Sequence, residues 1–309
     1  MAFDIKIKVV GLGGSGSNTV SRMKRLGFPK VDLIAINTDS QDLKKKNADF
    51  KLRIGRNLTH GLGAGMNPII GRRAAEEQKE EIKALLEGAD IIFITTGLGG
   101  GTGSGASPVV ADIAKGSGAL TIGVVTLPFS FEGGARAEIA KRAKLKLREK
   151  TDSLIVIPND NLLKCLSPDV PLAEAFEVCD EILRQAVKGI AGLISLPGIL
   201  NVNFADVKSV MENSGTAFFG VGQARGENRA SEAAKAALSS PLLDVSIAKA
   251  RGILFNVLGD QDISLFEINE AAKVITKNVG SETKVIFGAI QDEKLKKGEI
   301  KVTIIATGF

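Results

Sequence analysis

The 309-residue sequence has no tryptophan, no tyrosine, a single histidine (His60) and two cysteines, Cys165 and Cys179. One histidine rules out a His-rich zinc or iron centre and leaves His60 as the only base for a Ser-His-Asp triad, which no G-x-S-x-G accompanies. No metal-binding residues are expected. Two cysteines without metal-ligand spacing cannot form a disulfide framework, so both are read as small apolar side chains in a reducing cytoplasm. The N-terminal stretch MAFDIKIKVVG carries Asp4, Lys6 and Lys8 where a signal peptide needs an apolar run. No segment reaches the roughly 18 uninterrupted apolar residues of a membrane span. A cytoplasmic protein without direct membrane insertion is expected. Charge of one sign is scarce too: 40 Lys and Arg against 35 Asp and Glu leave +5. The densest basic run, KRAKLKLREK at Lys141 to Lys150, alternates with apolar residues and lacks aromatics for base stacking. It reads as a solvated helix face, and no nucleic-acid partner is expected.

Glycine is what the chain has in excess: 35 residues, about 11% against a usual ~7%. At roughly 100 to 200 residues per domain, the length suggests two domains or one large one. The first half alternates apolar runs with helical periodicity, the pattern of a doubly wound parallel sheet. Strands are expected at Ile5 to Val10, Val31 to Asn37, Ile91 to Thr95, Leu120 to Thr126 and Leu154 to Pro158. Helices are expected at Asn18 to Leu26, Pro68 to Glu87, Pro108 to Lys115 and Ala135 to Lys150. In such a sheet the loops at the carboxyl ends of the strands form the ligand crevice, and the glycines are read as lying in them.

From Pro171 one long amphipathic helix is predicted, with Leu172, Phe176, Cys179, Leu183, Ala186, Ile190 and Leu193 spaced four and three apart. It ends near Pro197-Gly198. An irregular segment, Ile199 to Ala205, precedes a second α/β pattern: strands at Phe218 to Gln223, Ile253 to Leu258, Lys284 to Ala289 and Ile300 to Thr307, and helices at Glu227 to Leu238 and Ser264 to Asn278.

The first glycine loop, Gly11 to Asn18 (GLGGSGSN), follows a strand and opens a helix, so successive backbone N–H groups can face an anion. It matches G-x-G-x-x-G, which alone suits a dinucleotide fold equally well. The second loop, Gly97 to Gly105 (GLGGGTGSG), holds six glycines in nine residues. Two cradling turns on separate βα units suit a longer phosphate chain than a pyrophosphate. A third turn, Gly61 to Pro68 (GLGAGMNP), lies between them in sequence. No Gly-Lys dipeptide exists, so the Walker A lysine is absent. Phosphate charge must then be met by backbone dipoles, Mg²⁺ and an arginine.

The G-G-G-T-G-S-G run with G-G-x-G-x-N at Gly13 to Asn18 resembles the signature of the tubulin superfamily, and the whole chain resembles its FtsZ family of cell-division GTPases. The resemblance is carried further by NTD at Asn37 to Asp39, GLGAGMNP, PFSFEGGAR at Pro128 to Arg136, IPND at Ile157 to Asp160 and NVNFADVK at Asn201 to Lys208. It implies a tubulin/FtsZ-like α/β fold. This comprises a doubly wound, mostly parallel GTP-binding domain (1–168), a central helix with a catalytic loop (169–205) and a smaller α/β domain with a mixed sheet (206–309).

The implied ligands are GTP and GDP, with Mg²⁺ bound mainly through the phosphates. Gly13, Gly14, Ser15, Gly16 and Ser17 would cradle phosphates together with Gly100, Gly101, Thr102 and Gly103. Asn18 and Arg22 would stand behind the first loop, and Ala64 and Gly65 near the γ-phosphate. Glu132 and Arg136 would hold ribose and phosphate, though their spacing also suits a plain i,i+4 ion pair. Asn159 would contact the sugar. Phe176 would stack on the base, unless it is simply core, while Asp180, one turn on, meets the base edge. Guanine offers N1–H and N2–H₂ donors to a carboxylate, whereas adenine has an acceptor at N1, so an acidic residue selects GTP.

The family's loop after the long helix completes the next subunit's site, which makes the expected partner a second copy in a head-to-tail homopolymer. Asp206 would polarise the attacking water, with Asn201 and Asn203 beside it. Where this chain has Asn203 the family usually has an acid, so slow hydrolysis is expected. Family members continue past the final strand into a linker and a peptide for membrane tethers, whereas this sequence ends at Phe309; either the chain is trimmed or attachment works differently, and no membrane-tether partner is assigned. Location at the division site is implied. The competing readings are an NAD(P)-dependent Rossmann oxidoreductase, supported only by the first loop, and a tubulin-like filament protein with little hydrolysis.

Overall fold

Strands rich in Ile and Val with no polar alternation must be covered on both faces, the hallmark of parallel sheets. In the computed structural model, which describes residues 5–27, 30–164, 167, 169–195, 200, 202–243, 245–291 and 295–309, the first-half runs behave in this way. Cys165, Asn201 and the Pro197-Gly198 stop lie outside the described residues.

The elements run β1 (Ile7–Leu12), α1 (Gly13–Leu26), β2 (Val31–Asn37), α2 (Ser40–Lys45), β3 (Phe50–Arg53), α3 (Arg56–Thr59), α4 (Pro68–Glu77), α5 (Lys79–Leu86), β4 (Ile91–Gly97) and α6 (Gly101–Gly116). They continue with β5 (Leu120–Leu127), α7 (Gly134–Lys150), β6 (Ser153–Pro158), α8 (Asn159–Leu163) and α9 (Leu172–Ser195). Strand order is β3-β2-β1-β4-β5-β6, all parallel. Gly11 is in register with Thr95, Gly97 with Thr126, and Leu127 with Pro158, so the carboxyl ends of the strands share one edge. Ile34, Ile36, Ile92, Ile94, Val110 and Leu147, all buried, belong to its core.

The chain falls into two compact units, Met1–Val187 and Lys188–Phe309. The second contains α10 (Phe204–Met211), β7 (Gly215–Arg225), α11 (Arg229–Leu238), β8 (Gly252–Gly259), α12 (Leu265–Thr276), β9 (Lys284–Gln291) and β10 (Glu299–Thr307). Its sheet is mixed: β10 runs antiparallel to both β7 and β8, and β8 is parallel to β9. Val257, Ile275, Val302 and Ile304 centre its core.

Four readings change. The helix expected from Asn18 begins at Gly13, directly after β1, so Gly13 to Ser17 are helical rather than loop residues. The helix expected over Pro68 to Glu87 is two, broken at Gln78, whose backbone leaves the helical region at φ −103, ψ 28 and whose buried side chain accepts from the Gly55 N–H. The helix expected from Pro108 starts seven residues earlier, so Pro108 lies inside it and Gly103 and Gly105 are helical rather than loop residues. Packing explains this: a Cβ on Gly105 would come within 2.1 Å of the Pro68 carbonyl, and one on Gly71 within 2.2 Å of the Gly101 carbonyl. Those glycines let α4 and α6 touch backbone to backbone. Finally, the segment read as irregular to Ala205 turns helical at Phe204, where Asn203 caps α10 by accepting from the Asp206 N–H at 2.8 Å.

Candidate functional site

At the carboxyl edge of the parallel sheet lies a cleft of about 610 Å³ lined wholly by residues of the first unit. Gly13, Gly14, Ser15 and Asn18 line it from the first turns of α1, directly after β1, and Gly97, Leu98, Gly100, Gly101, Thr102 and Gly103 from the end of β4, the short turn after it and the start of α6. The two turns are locked together. Thr96 Oγ1 donates to the Leu12 carbonyl at 3.0 Å, and a Cβ on Gly13, at φ +69, would stand 3.1 Å from the Gly103 nitrogen. Ser104 Oγ accepts from the Gly99 N–H at 2.8 Å and shapes the second turn. Ala64, Gly65 and Met66 add the third turn, anchored where Asn67 caps α4 by accepting from the Ile69 N–H at 2.9 Å.

The remaining walls come from β5, the start of α7, α8 and α9. Glu132 and Arg136 line the cleft and are ion-paired at 2.8 Å, while Glu132 also accepts from the Phe129 N–H at 2.9 Å. Asn159 lines it with its side-chain oxygen buried and unpartnered among the described residues. A buried amide oxygen without a donor is costly unless a ligand supplies one. Phe176, on the helix stripe read as core or as base platform, lines the cleft at 39% exposure and meets Phe129 edge to face at 5.5 Å.

Asp180, one turn further on, also lines the cleft. Burial pushes its carboxyl up to about 6, against the opposing pull of the Thr19 hydroxyl and the charges of Arg22 and Lys46. Cys179 beside it is pushed up to about 12 by burial, so the thiol stays protonated.

Gly16 and Ser17 do not line the cleft; they lie buried beneath the first turn, where a Cβ on Gly16 would meet the Thr95 carbonyl at 2.3 Å. Arg22 points to α9 instead, with its guanidinium on the Glu177 carboxylate at 2.9 Å and carbonyl at 2.6 Å. Asn18 reaches the cleft and accepts from Lys46, which is also paired with Asp42 at 2.6 Å. Asn203 and Asp206 belong to the second unit, at the start of α10.

Leu12, Asp39, Met66, Gly97, Leu98, Thr126, Pro128 and Cys179 also line the cleft, although the sequence reading gave them no role there. Asp39 had a local signal, being the N-cap of α2 that accepts from the Gln41 and Asp42 N–H groups at 2.9 Å. Thr126 had none beyond its register with Gly97.

The description "Tubulin/FtsZ family, GTPase domain" matches residues 6–167, and "FtsZ family, C-terminal domain" matches residues 215–309. The chain belongs to the FtsZ family. FtsZ of M. jannaschii, solved as an empty dimer, is 48% identical with a TM-score of 0.95 over 98% of this chain and 88% of that one. CetZ2 from Haloferax volcanii, solved as a GTPγS-bound protofilament, is 23% identical with a TM-score of 0.80 over 98% of this chain and 92% of that one. It shares the fold. As an FtsZ-family protein the chain carries a GTPase domain, which implies guanine-nucleotide binding. Among the described residues, no helix is long and apolar enough to cross a membrane.

Proposed function

We propose that this FtsZ-family protein binds GTP in the cleft, assembles head to tail and hydrolyses GTP where the second unit of one subunit meets the cleft of the next. The observation that carries the reading is one cleft lined by two glycine turns, Phe176 and Asp180. Backbone N–H groups of Gly13, Gly14, Gly100 and Gly101 and the N-termini of α1 and α6 meet phosphate oxygens without a Walker lysine. Ala64 and Gly65 close on the terminal phosphate, and Arg136, oriented by Glu132, adds positive charge. Ser15, Thr102 and Gly103 complete the cradle, Gly16 and Ser17 support it from below, and Asn18 and Arg22 brace its rear.

Asn159 supplies its spare amide oxygen to a ribose hydroxyl. Phe176 stacks on the base, and Asp180 accepts the two N–H donors of guanine that adenine lacks. Asp39 and the Thr102 hydroxyl, the latter bonded to Thr38 at 2.6 Å, are hard oxygen donors in the same lining and fit a Mg²⁺ carried mainly on the phosphates. The ion would neutralise developing phosphate charge.

Asp206 of the neighbour polarises the attacking water, Asn203 stands at the same helix start, and Asn201, outside the described residues, is assigned to the same loop by sequence alone. Asn203 also holds the first turn of α10 through its cap, so Asp206 is presented from a rigid element. The dimeric form of the M. jannaschii protein supports a second copy as partner. Family membership supports a role in cell division, at the division site. Titration with GTP, GDP, ATP and NADH tests the ligand: tight guanine-nucleotide binding with ATP and NADH weak is expected, and equal affinities for GTP and ATP would overturn the base assignment.

A further inference from the structure

Thr19 takes no part in the cleft lining, yet its hydroxyl stands between two groups that do. It lies 3.1 Å from Oδ1 of Asp180 and 3.2 Å from the carbonyl oxygen of Ser15, and the residue is fully buried. We infer that Thr19 is a positioning residue for guanine selectivity, orienting the Asp180 carboxylate from behind. The inference rests on the reading of Asp180 as the group that meets the base.

A threonine hydroxyl has one proton and two lone pairs. Within a helix its Oγ1 can bond back to the carbonyl four residues earlier, which here is Ser15. An ionised Asp180 competes for that proton with a stronger, charge-assisted bond. Thr19 therefore donates to Asp180 when the carboxylate is charged. When Asp180 is protonated the acid can donate to Thr19, whose own proton returns to Ser15. In both states Oδ1 is engaged by Thr19, which leaves Oδ2 for a ligand in the cleft that Asp180 lines.

The charged neighbours do not fill this role. From α1, Arg22 is tied to Glu177; from the segment after α2, Lys46 is tied to Asp42 and Asn18; from α9 itself, Glu177 opposes the charge on Asp180. They act on Asp180 through the field, and the hydroxyl acts by contact. A valine would fill the same volume without the proton, so packing alone does not call for a threonine here.

The test compares GDP with IDP, which lacks the 2-amino group, and follows GDP affinity from pH 5 to 8 in the full chain. The set is the parent, Thr19→Val, Thr19→Ala, Thr19→Ser and Asp180→Ala. Loss of a hydrogen bond to a charged group is expected to lower GDP affinity about tenfold or more in Thr19→Val and Thr19→Ala and to narrow the GDP/IDP ratio. The fall in GDP affinity on acidification should begin at higher pH in these variants, because the carboxylate has lost a donor. Thr19→Ser should behave as the parent.

The ratio and the pH midpoint are internal to each variant, so a partly unfolded preparation does not blur them. An unchanged ratio and midpoint in both Thr19→Val and Thr19→Ala, while Asp180→Ala abolishes guanine preference, overturns the role of Thr19 alone. Retained guanine preference in Asp180→Ala overturns the base assignment on which it stands.

Discussion

At Asp180, function and stability pull apart. Its carboxyl is raised from an ordinary 3.8 to about 6 by burial. A group whose folded value is raised favours the folded state fully at pH below its unfolded value, and that contribution disappears as pH rises through the folded value. Between about pH 4 and 6 the parent should therefore lose stability that an uncharged side chain would keep. Asp180→Asn is expected to raise Tm by a few degrees at pH 8 and by almost nothing at pH 4, while weakening GDP binding. Calorimetry across that range without nucleotide checks it; a Tm difference independent of pH would show that the buried charge is not the cause.

The second residue of interest is Asn203, exposed at the cap of α10. Aspartate caps as well as asparagine, so Asn203→Asp preserves the helix and adds only charge. Phosphate release is expected to rise roughly tenfold, less than the 10² to 10³ of a lost electrostatic stabiliser because Asn and Asp206 already supply part of it. An unchanged rate would mean that the asparagine is no handicap.

At the scale of elements, glycines of one motif do different jobs, and two substitutions separate them. Gly16→Ala forces a Cβ within 2.3 Å of the Thr95 carbonyl, so α1 must shift from β4. Overpacking of this kind costs about 1 to 3 kcal/mol and should lower Tm. Gly100, at φ −92 and ψ 174, has a backbone alanine can adopt, and nothing beyond its own chain neighbours lies within 4 Å of a would-be Cβ. Gly100→Ala should leave Tm nearly unchanged yet weaken nucleotide binding, because the methyl opens onto the cleft. Nucleotide titration beside thermal melts distinguishes the pair, and parallel losses in both variants would contradict the division of roles.

The same elements mark how far the sequence was legible. Long apolar strands and the 3.6-residue stripe of α9 were readable because burial on both faces, or on one, leaves a period in the composition. The break at Gln78 and the early start of α6 were not, since both follow from tertiary contacts: a side-chain amide meeting the Gly55 N–H, and glycines meeting the backbone of α4. The short elements α2, β3, α3 and α8 offered too few residues for a period to show. In the cleft, the glycine turns were visible as composition, whereas the turn of Arg22 toward Glu177 and the burial of Thr19 over Asp180 depend on side-chain geometry.

For the whole molecule, the residues lining the cleft all belong to the first unit, whereas Asn203 and Asp206 belong to the second. If two copies of the chain complete the site, activity is a property of assembly rather than of the monomer. The direct measurement is phosphate release per subunit from GTP across a wide dilution series, with light scattering recorded in parallel and Asp206→Ala as the comparison. Turnover is expected to fall toward zero below the assembly threshold, and the Asp206→Ala protein to bind GTP and assemble yet scarcely hydrolyse it. Turnover per subunit that stays constant through strong dilution, or an Asp206→Ala variant as fast as its parent, would contradict the shared site.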